Sequence, residues 1–285
     1  MRICRFDDHK LGLVQGDEVL DVSAALAALP ASRWPVPQCD PLIAAFPEVL
    51  KRVAELAPAA RRLPLASVTL NSPVSYATKL PAAPVNYLKH MAEAQGDPAT
   101  FHAHHLKKIE EVGLFLKASS SLVGPGDGVA LRHLDRRNDH ELELAVIIGK
   151  KADRVSEAAA LDYVAGYAIG LDMTVRGPEE RSLRKSIDSY SVLGPWIVTP
   201  DEVGDPGALD IELYVNDALR QRANTRDLVI GIPKLIAWAS EYYTLLPGDV
   251  IFTGTPDGVG PVVPGDIIRA SIENIGEMEV KVRAA

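Results

Sequence analysis

Cysteine and long apolar runs are scarce in this sequence. Its two cysteines, Cys4 and Cys39, form no CxxC pair, which argues against a disulfide framework and against a cysteine-based zinc site. No apolar run approaches the roughly 18 residues that a membrane span needs. Charged residues stand in the first twenty positions, where a signal peptide would carry its apolar stretch. We therefore expect a cytoplasmic protein from a reducing compartment, without a membrane partner.

Positive charge is also in deficit. The chain has 30 Lys and Arg against 38 Asp and Glu, a formal net charge of −8, and no basic stripe. This balance argues against nucleic acid as a partner. The 47% hydrophobic and 24% charged residues are ordinary globular values and argue against disorder. A chain of 285 residues can bury a sizeable core as one large domain or as two smaller ones.

The pattern along the chain predicts a β-rich α+β fold with a boundary near residue 75. Strands are expected at 2–6, 10–14 and 19–22, followed by helices at 23–30 and 41–57, and together these form a small N-terminal α/β domain over 1–75. Pro47 should delay or kink the second helix. Strands dominate 76–285, few helices separate them, and no GxGxxG follows a strand, which argues against a doubly wound nucleotide fold.

Three shorter elements are predicted from local residue chemistry. Gly124–Gly128 reads as a tight turn; an anion cradle is the weaker alternative, because the segment lacks the Lys-Ser/Thr of a P-loop and leads into no helix. Asn216-Asp217 indicates a hairpin. A helix is expected from Glu157 to about Tyr163, with Ser156 as its N-cap, and another from Pro233 to Tyr243.

A polar segment at 86–113 carries four of the seven histidines and few large aliphatic residues. We expect it to act as a mobile cover, or lid, over a site. His90 and Glu93 lie three apart, so on a helix they would share a face, and a histidine oriented by a carboxylate can serve as a general base toward water. A surface histidine beside a glutamate is the alternative, and the bare spacing favours it. The sequence suggests no role for the other histidines of this segment, His102, His104 and His105.

Three carboxylates could form a metal site. Glu141 and Glu143 begin an apolar strand two residues apart and therefore point to one face. Asp172 ends another predicted strand, and three carboxylates without cysteine or a paired histidine favour a hard cation such as Mg²⁺, Mn²⁺ or Ca²⁺. On spacing alone the alternative stays open that the glutamates lie on a solvated edge and that Asp172 caps a helix or turn.

Basic residues follow the acidic set closely: Arg176, Arg181, Arg184 and Lys185. A metal flanked by fixed cations suits an anionic substrate such as a 2-oxo acid, because the metal can chelate its carbonyl and carboxylate while the basic side chains neutralise the rest. An exposed helix face with pairs such as Glu180 and Arg184 would give part of the same pattern.

From about residue 75 to 280 the chain resembles the fumarylacetoacetate hydrolase superfamily in its shorter bacterial form. The resemblance rests on seven motifs: NYLKHMAE (86–93), FLKASSSLVGPGD (115–127), DHELELAVIIGK (139–150), GYAIGLDMTVR (166–176), KSIDSYSVLGPW (185–196), VND (215–217) and PGDVIFTGTPDGVG (247–260). The most specific signal is the ordered pair formed by ELELAVIIGK and the last motif.

The resemblance implies a mixed β-sandwich roll as catalytic domain, usually paired into a homodimer. It implies Mg²⁺ or Mn²⁺, with Ca²⁺ as a further option, held by Glu141, Glu143 and Asp172. It also implies that Lys185 supports the metal-bound ligand and that the lid brings His90 and Glu93 as the water-activating pair. The substrate contacts that it implies are Arg176, Thr255 and Tyr87.

The sequence departs from the family pattern at three points. Pro84 stands where a glycine is usual, and Leu171 stands where an asparagine commonly precedes the metal-binding aspartate. The usual Arg-Asp-x-Gln ends here in Glu179, which would repel a substrate carboxylate placed beside it. These changes bear on which substrate binds more than on the metal.

The activity that these features predict is metal-dependent hydrolysis of the carbon–carbon bond of an acylpyruvate, of the maleylpyruvate or fumarylpyruvate type, in the catabolism of aromatic compounds. The alternatives within the same superfamily are a 2-hydroxy-dienedioate isomerase and an oxaloacetate-type decarboxylase. A non-catalytic scaffold on the same fold would be expected to have lost the ligand residues, which are all present here.

Overall fold

The structure is a computed structural model, and it describes residues 1–31, 33–97 and 107–285. The strands in this part of the chain are β1 Arg2–Phe6, β2 Lys10–Gln15, β3 Glu18–Asp21, β4 Arg61–Pro64, β5 Leu70–Asn71, β6 Leu80–Ala82, β7 Phe115–Lys117, β8 Leu122–Val123, β9 Val129–Leu131, β10 Asn138–His140, β11 Leu142–Ile148, β12 Val164–Asp172, β13 Thr174–Val175, β14 Ser191–Val198, β15 Asp210–Val215, β16 Ala218–Asn224, β17 Val250–Phe252, β18 Gly260–Pro261, β19 Ile267–Ile272 and β20 Gly276–Ala284.

In the described residues the α-helices are fewer than the strands. They are α1 Pro41–Ala44, α2 Phe46–Leu56, α3 Leu88–Gly96, α4 Ile109–Val112, α5 Arg181–Lys185, α6 Pro200–Val203 and α7 Ile232–Tyr242. Single 3₁₀ turns or short 3₁₀ helices occupy Ser23–Ala28, Ala57–Ala59, Leu65–Ser67, Ser119–Ser121, Glu157–Tyr163 and Thr225–Asp227. None of the helices described is long and apolar enough to cross a lipid bilayer.

One large sheet runs through the molecule in the order β4-β3-β2-β1-β14-β12-β11-β17-β6-β7, with β5 beside β1 and β8 beside β14. The three innermost strands, β14, β12 and β11, are antiparallel neighbours and almost wholly buried. Strands buried on both faces read as continuous apolar runs, which is why ELELAVIIGK does not alternate after its second glutamate.

Two smaller sheets complete the β-rich fold, and the predicted β-rich α+β class is confirmed. One has the order β16-β15-β19-β20-β9 and the other β13-β10-β18. The hairpin between β15 and β16 turns at Asn216 and Asp217, both with positive φ, as their sequence predicts. The turn at 124–128 is likewise confirmed, and the N–H of Gly124 is already bonded to the carboxylate of Asp127 at 2.8 Å.

Backbone pairing crosses the predicted boundary near residue 75. In β1, Ile3 lies opposite Ile197 of β14, so the N-terminal strands extend the same sheet as the site-bearing strands. A buried apolar cluster also combines residues from both sides of the boundary, including Ile3, Leu11, Leu193 and Phe252. The division into two domains remains a prediction beside this continuous sheet.

The helices differ in detail from the sequence prediction. The segment 41–57 contains two helices, because α1 ends before Ala45 and α2 begins again with Pro47 in its first turn, which is the delay that a proline imposes. The predicted helices at 23–30 and 157–163 are 3₁₀ rather than α, and the Ser156 side chain makes no cap bond. Helix α7 spans Ile232–Tyr242, so the helix predicted over Pro233 to Tyr243 is confirmed to within one residue at each end.

Candidate active site

Three predicted carboxylates lie side by side where two central strands meet. Glu141 directly precedes β11, Glu143 is the second residue of β11, and Asp172 ends β12. The strands are antiparallel with Leu142 opposite Leu171, so the start of one lies beside the end of the other. All three side chains are buried, and each offers an oxygen within 4.8 Å of the others. The alternative of a solvated edge is therefore wrong.

Lys185, the last residue of α5, joins two of these carboxylates. Its ammonium group donates to Glu141 Oε2 at 2.5 Å and to Asp172 Oδ2 at 2.8 Å, and it also contacts the hydroxyl of Thr174 at 2.5 Å. The side chain is buried, so these contacts form in a medium that screens charge weakly. The ammonium group of Lys185 thus lies directly against the carboxylates, as the sequence predicted.

A second lysine, for which the sequence predicted no role, binds the other oxygen of Asp172. Lys117 ends β7, is fully buried, and donates to Asp172 Oδ1 at 2.5 Å and to the carbonyl of Tyr190 at 2.7 Å. Burial lowers the pKa of Lys117, although the charge of Asp172 acts in the opposite direction. With one lysine on each oxygen, the Asp172 carboxylate is fixed in a single orientation.

Arg176 also lies against the cluster, as predicted. One edge of its guanidinium donates to Glu141 Oε1 at 2.9 Å and another to Asp139 Oδ2 at 2.7 Å. Asp139 in turn accepts from Arg137 at 2.7 Å. The result is a row of alternating charges that leads from the metal-ligand candidates toward the surface.

Glu141 and Glu143 have opposite pKa shifts although they are two residues apart. Burial would raise the pKa of Glu141, but Lys185 and Arg176 outweigh it and hold that pKa well below its usual range. Burial also raises the pKa of Glu143, and here the negative charge of Asp172 adds to the effect. Glu143 is therefore the carboxylate that most needs another positive charge nearby.

The donor set fits a hard divalent cation. Three buried carboxylates converge, with no cysteine or histidine in the group, and oxygen donors of this kind suit Mg²⁺, Mn²⁺ or Ca²⁺. The residues that would hold it are Glu141, Glu143 and Asp172. A divalent charge would offset the burial and the repulsion from Asp172 that together raise the pKa of Glu143.

The predicted His90–Glu93 pair forms on helix α3. His90 Nδ1 lies 2.9 Å from Glu93 Oε2, and His90 is buried, so the alternative of a surface histidine is wrong. The second oxygen of Glu93 accepts the N–H of Gly258 at 2.9 Å, which fixes the carboxylate from both sides. Because Nδ1 faces the carboxylate, Nε2 is the ring nitrogen that could accept a proton from water. The remaining histidines of the segment, His102, His104 and His105, lie outside the described residues.

The other two predicted substrate contacts are buried beside the cluster. Thr255 follows Gly254, whose N–H donates to Glu143 Oε2 at 2.7 Å. Tyr87 precedes α3, and burial, together with the nearby charge of Glu143, raises the pKa of its phenol. Tyr87 therefore stays a neutral hydrogen-bonding group at any ordinary pH.

Glu179, the departure from the family pattern, is paired rather than exposed as a bare charge. Both of its oxygens accept from Arg136, at 3.0 and 2.7 Å. Arg136 also donates twice to the carbonyl of Arg176. The repulsion that Glu179 was expected to exert on a substrate carboxylate is thus offset by a bidentate partner, which the sequence did not indicate.

Comparison with known proteins shows which family the chain is similar to. The model of the fumarylacetoacetate (FAA) hydrolase C-terminal family matches residues 80–283. A maleylpyruvate hydrolase from Aquipseudomonas alcaligenes is 54% identical over 286 residues, covering 100% of both chains. A 2,4-didehydro-3-deoxy-L-rhamnonate hydrolase from a Sphingomonas species is 38% identical over 74% of this chain and 75% of its own.

Solved structures show the same likeness. The crystal structure of a maleylpyruvate hydrolase from Sphingobium sp. SYK-6, in complex with a manganese(II) ion and pyruvate, is 46% identical and superposes with a TM-score of 0.84 over 100% of both chains. A 2-hydroxyhepta-2,4-diene-1,7-dioate isomerase from Mycobacterium abscessus, described as probable, is 27% identical with a TM-score of 0.77.

Proposed function

The chain belongs to the fumarylacetoacetate hydrolase family, and on that premise we propose that it hydrolyses an acylpyruvate, of the maleylpyruvate or fumarylpyruvate type, to pyruvate and a carboxylic acid. The observation that carries this proposal is a single loop that contacts both halves of the site. Its Gly254 N–H binds Glu143 in the carboxylate cluster, and its Gly258 N–H binds Glu93 of the base pair.

The carboxylate cluster, with the basic side chains beside it, forms the part of the site that would bind the 2-oxo acid end of the substrate. Glu141, Glu143 and Asp172 would hold Mg²⁺ or Mn²⁺, with Ca²⁺ as a further option, and the similar Sphingobium structure with manganese and pyruvate supports a divalent cation. Bound there, the cation would act as a Lewis acid toward the carbonyl and carboxylate oxygens of the substrate. Arg176 and Lys185 add fixed positive charge at the same end.

The His90–Glu93 pair supplies the water-activating end. His90 Nε2 takes a proton from water, and Glu93 holds the ring and stabilises the imidazolium that forms. The hydroxide adds to the 4-carbonyl carbon, and the C3–C4 bond then breaks with its electron pair moving onto C3. One product is the acid that contains the former 4-carbonyl. The other is the enolate of pyruvate, which takes a proton at C3.

Positive charge stabilises the transition state most where the pyruvate enolate forms. Negative charge develops on the 2-oxo acid fragment as the bond breaks, and catalysis follows from groups that favour that charge over the ground state. Lys185 is buried and held within 2.8 Å of both Glu141 and Asp172, so its ammonium does not need to reorganise during the reaction.

The assignment includes partners and location. We propose a small 2-oxo acid as the substrate, a homodimer as the assembly, and the cytoplasm as the compartment, with neither nucleic acid nor membrane as a partner. The net charge of −8 argues against a nucleic-acid partner, and the similarity to a maleylpyruvate hydrolase supports the substrate class.

The direct test is product analysis with maleylpyruvate and fumarylpyruvate in the presence of Mn²⁺ or Mg²⁺. We expect loss of the enol absorbance, with pyruvate and maleate or fumarate formed in equal amounts, and we expect a chelator to abolish the reaction until metal is restored. Glu141→Ala should lose metal affinity and turnover, while Glu277→Gln, an exposed strand residue on β20, should retain both.

The same assay separates the alternatives within the family. A shifted double bond with no acid released would indicate isomerisation, and CO₂ would indicate decarboxylation. Either product, or activity that persists after complete chelation, would contradict the proposed hydrolase.

A further inference from the structure

The loop at 254–258 connects the two halves of the site and is held at both ends. At one end the Gly254 N–H donates to Glu143 Oε2 at 2.7 Å, and at the other the Gly258 N–H donates to Glu93 Oε1 at 2.9 Å. A shift of this loop would therefore move a candidate metal ligand and the base pair relative to each other. What fixes its middle is a side chain from a different sheet.

That side chain is Gln221, the first buried residue of the edge strand β16. Its amide makes four hydrogen bonds, which is the full capacity of a glutamine. The oxygen accepts the N–H of Leu142 at 2.9 Å and lies 3.2 Å from His140 Nδ1. The nitrogen donates to Thr255 Oγ1 at 2.8 Å and to the carbonyl of Pro256 at 3.0 Å.

The partners determine which way the amide points. The backbone N–H of Leu142 can only donate, so the atom facing it must be the amide oxygen. The carbonyl of Pro256 can only accept, so the atom facing it must be the amide nitrogen. The orientation is therefore fixed by two groups that each have only one role.

This orientation determines the polarity of the Thr255 hydroxyl. Gln221 supplies the proton in its bond to Thr255 Oγ1, so the hydroxyl keeps its own proton for another acceptor. Thr255 is buried next to the residue that binds Glu143, where the carboxylate of a 2-oxo acid is the expected ligand. A carboxylate accepts such a proton well, whereas a ligand that must donate would be disfavoured.

The backbone around Gln221 leaves the loop little freedom. Leu142 lies between Glu141 and Glu143, so the amide connects the strand that carries both glutamates to the loop. Gly258 packs against the same edge strand: a Cβ added there would lie 2.0 Å from the carbonyl oxygen of Arg220, and φ at Gly258 is +90°.

We propose that Gln221 is a positioning residue: it holds the 254–258 loop between the carboxylate cluster and the His90–Glu93 pair, and it leaves Thr255 as a hydrogen-bond donor to the carboxylate of the 2-oxo acid. The inference rests on the proposed function for the identity of that ligand. Gln221 does not touch the substrate and acts through Thr255 and the loop.

The test compares Gln221→Glu with the wild type in the metal-loaded protein, using oxalate as a non-reacting analogue of the pyruvate enolate. The substitution keeps the shape and the acceptor toward Leu142, but an ionised carboxylate can donate neither to the carbonyl of Pro256 nor to Thr255, whose hydroxyl must then donate to it. We expect Mn²⁺ affinity to stay within about threefold and oxalate affinity to fall about 10- to 100-fold, the range of a lost hydrogen bond to a charged group. Gln15→Glu, the same change at an exposed position on β2, is the matched control.

A double-mutant comparison shows whether Gln221 acts through Thr255. Thr255→Val should reproduce the loss of oxalate affinity, Thr255→Ser should retain wild-type affinity within about threefold, and adding Gln221→Glu to Thr255→Val should weaken oxalate binding no further. If the two losses are additive, or if Gln221→Glu binds oxalate like the wild type, the inference is overturned.

Two further controls separate this inference from folding and from the proposed function. A urea midpoint for each variant confirms that it is folded. If Gln221→Glu is not folded, Gln221→Met takes its place. We expect the same loss of oxalate affinity from Gln221→Met, and an unchanged affinity would overturn the inference. Oxalate binding needs no turnover. A wild type that binds Mn²⁺ and oxalate but cleaves no acylpyruvate would therefore contradict the proposed function and leave the Gln221 comparison decisive on its own.

Discussion

At the scale of single residues, the base pair is where hydrolysis can be separated from metal binding. His90 is buried and oriented by Glu93, but neither side chain belongs to the carboxylate cluster that would hold the cation. Loss of the imidazole should therefore remove proton transfer from water and leave the three carboxylates and their lysine partners in place.

We predict that His90→Ala lowers kcat about 10²- to 10⁴-fold, the usual contribution of a general base, while Mn²⁺ affinity changes little. Turnover with an acylpyruvate and titration calorimetry with Mn²⁺ measure the two effects separately. His133→Ala, at an exposed histidine, is the matched control and should behave as wild type. Wild-type turnover in His90→Ala would contradict the assignment of the base.

Local spacing predicted the parts of the site that are close in sequence. Glu141 and Glu143 share a strand face at i and i+2, and His90 and Glu93 share a helix face at i and i+3, so periodicity predicted that the members of each pair lie close together. A functional role for the pairs followed from the family resemblance, because the bare spacing also fitted surface residues.

The contacts that the sequence did not indicate join distant segments. Lys117 is 55 residues from Asp172, Gln221 is 34 residues from Thr255, and Arg136 is 43 residues from Glu179. Each of these contacts depends on which strands and loops become neighbours in the fold. Periodicity within a single sequence carries no information about that arrangement. The only local signal for Lys117 was a charged residue within the apolar start of FLKASSS.

At the scale of elements, the segment at the predicted domain boundary is held by two buried aspartates. Asp40 caps α1 through the N–H groups of Leu42 and Ile43, and its other oxygen accepts three bonds from Ser75 and Tyr76. Asp249, in the turn before β17, likewise accepts bonds from residues 78, 79 and 246. The segment 75–79 is thus fastened on both sides to rigid elements.

We predict that Asp40→Ala lowers the free energy of unfolding by about 2–4 kcal/mol, because it removes a helix cap and leaves several buried or half-buried donors without an acceptor. Asp40→Asn should cost less, since its amide oxygen can still cap α1. Urea denaturation at constant m-value measures both, with the exposed Asp8→Ala as a control expected within about 0.5 kcal/mol of wild type. Equal midpoints for Asp40→Ala and wild type would contradict the role given to Asp40.

Elements with strong local chemistry were predicted well, and weakly periodic ones were not. Pro47 correctly indicated a delayed helix, and Asn216-Asp217 correctly indicated a hairpin. The alanine-rich segments 23–30 and 157–163 have few residues to distinguish α from 3₁₀ winding, so their packing decides it.

At the scale of the whole molecule, the continuous sheet makes independent opening of the N-terminal strands costly. Strand β1 lies between β2 and β14, and Cys4 at its centre is fully buried in a cluster that also contains Leu142 and Tyr190. Removing β1 would expose these side chains and leave the β14 edge unpaired. Composition and turns suggested a boundary near residue 75, but sheet order, which the sequence does not show, connects the two sides.

We therefore predict that the N-terminal strands and the site-bearing strands unfold together. In a Cys39→Ser background, Cys4 is the only thiol, and burial raises its pKa to about 12, so labelling in the folded protein should be very slow. With increasing urea, the midpoint for Cys4 labelling should coincide with the midpoint from far-ultraviolet circular dichroism. Labelling at distinctly lower urea would show that residues 1–75 open as a separate unit, and the sheet pairing of Ile3 with Ile197 would then not be what holds them.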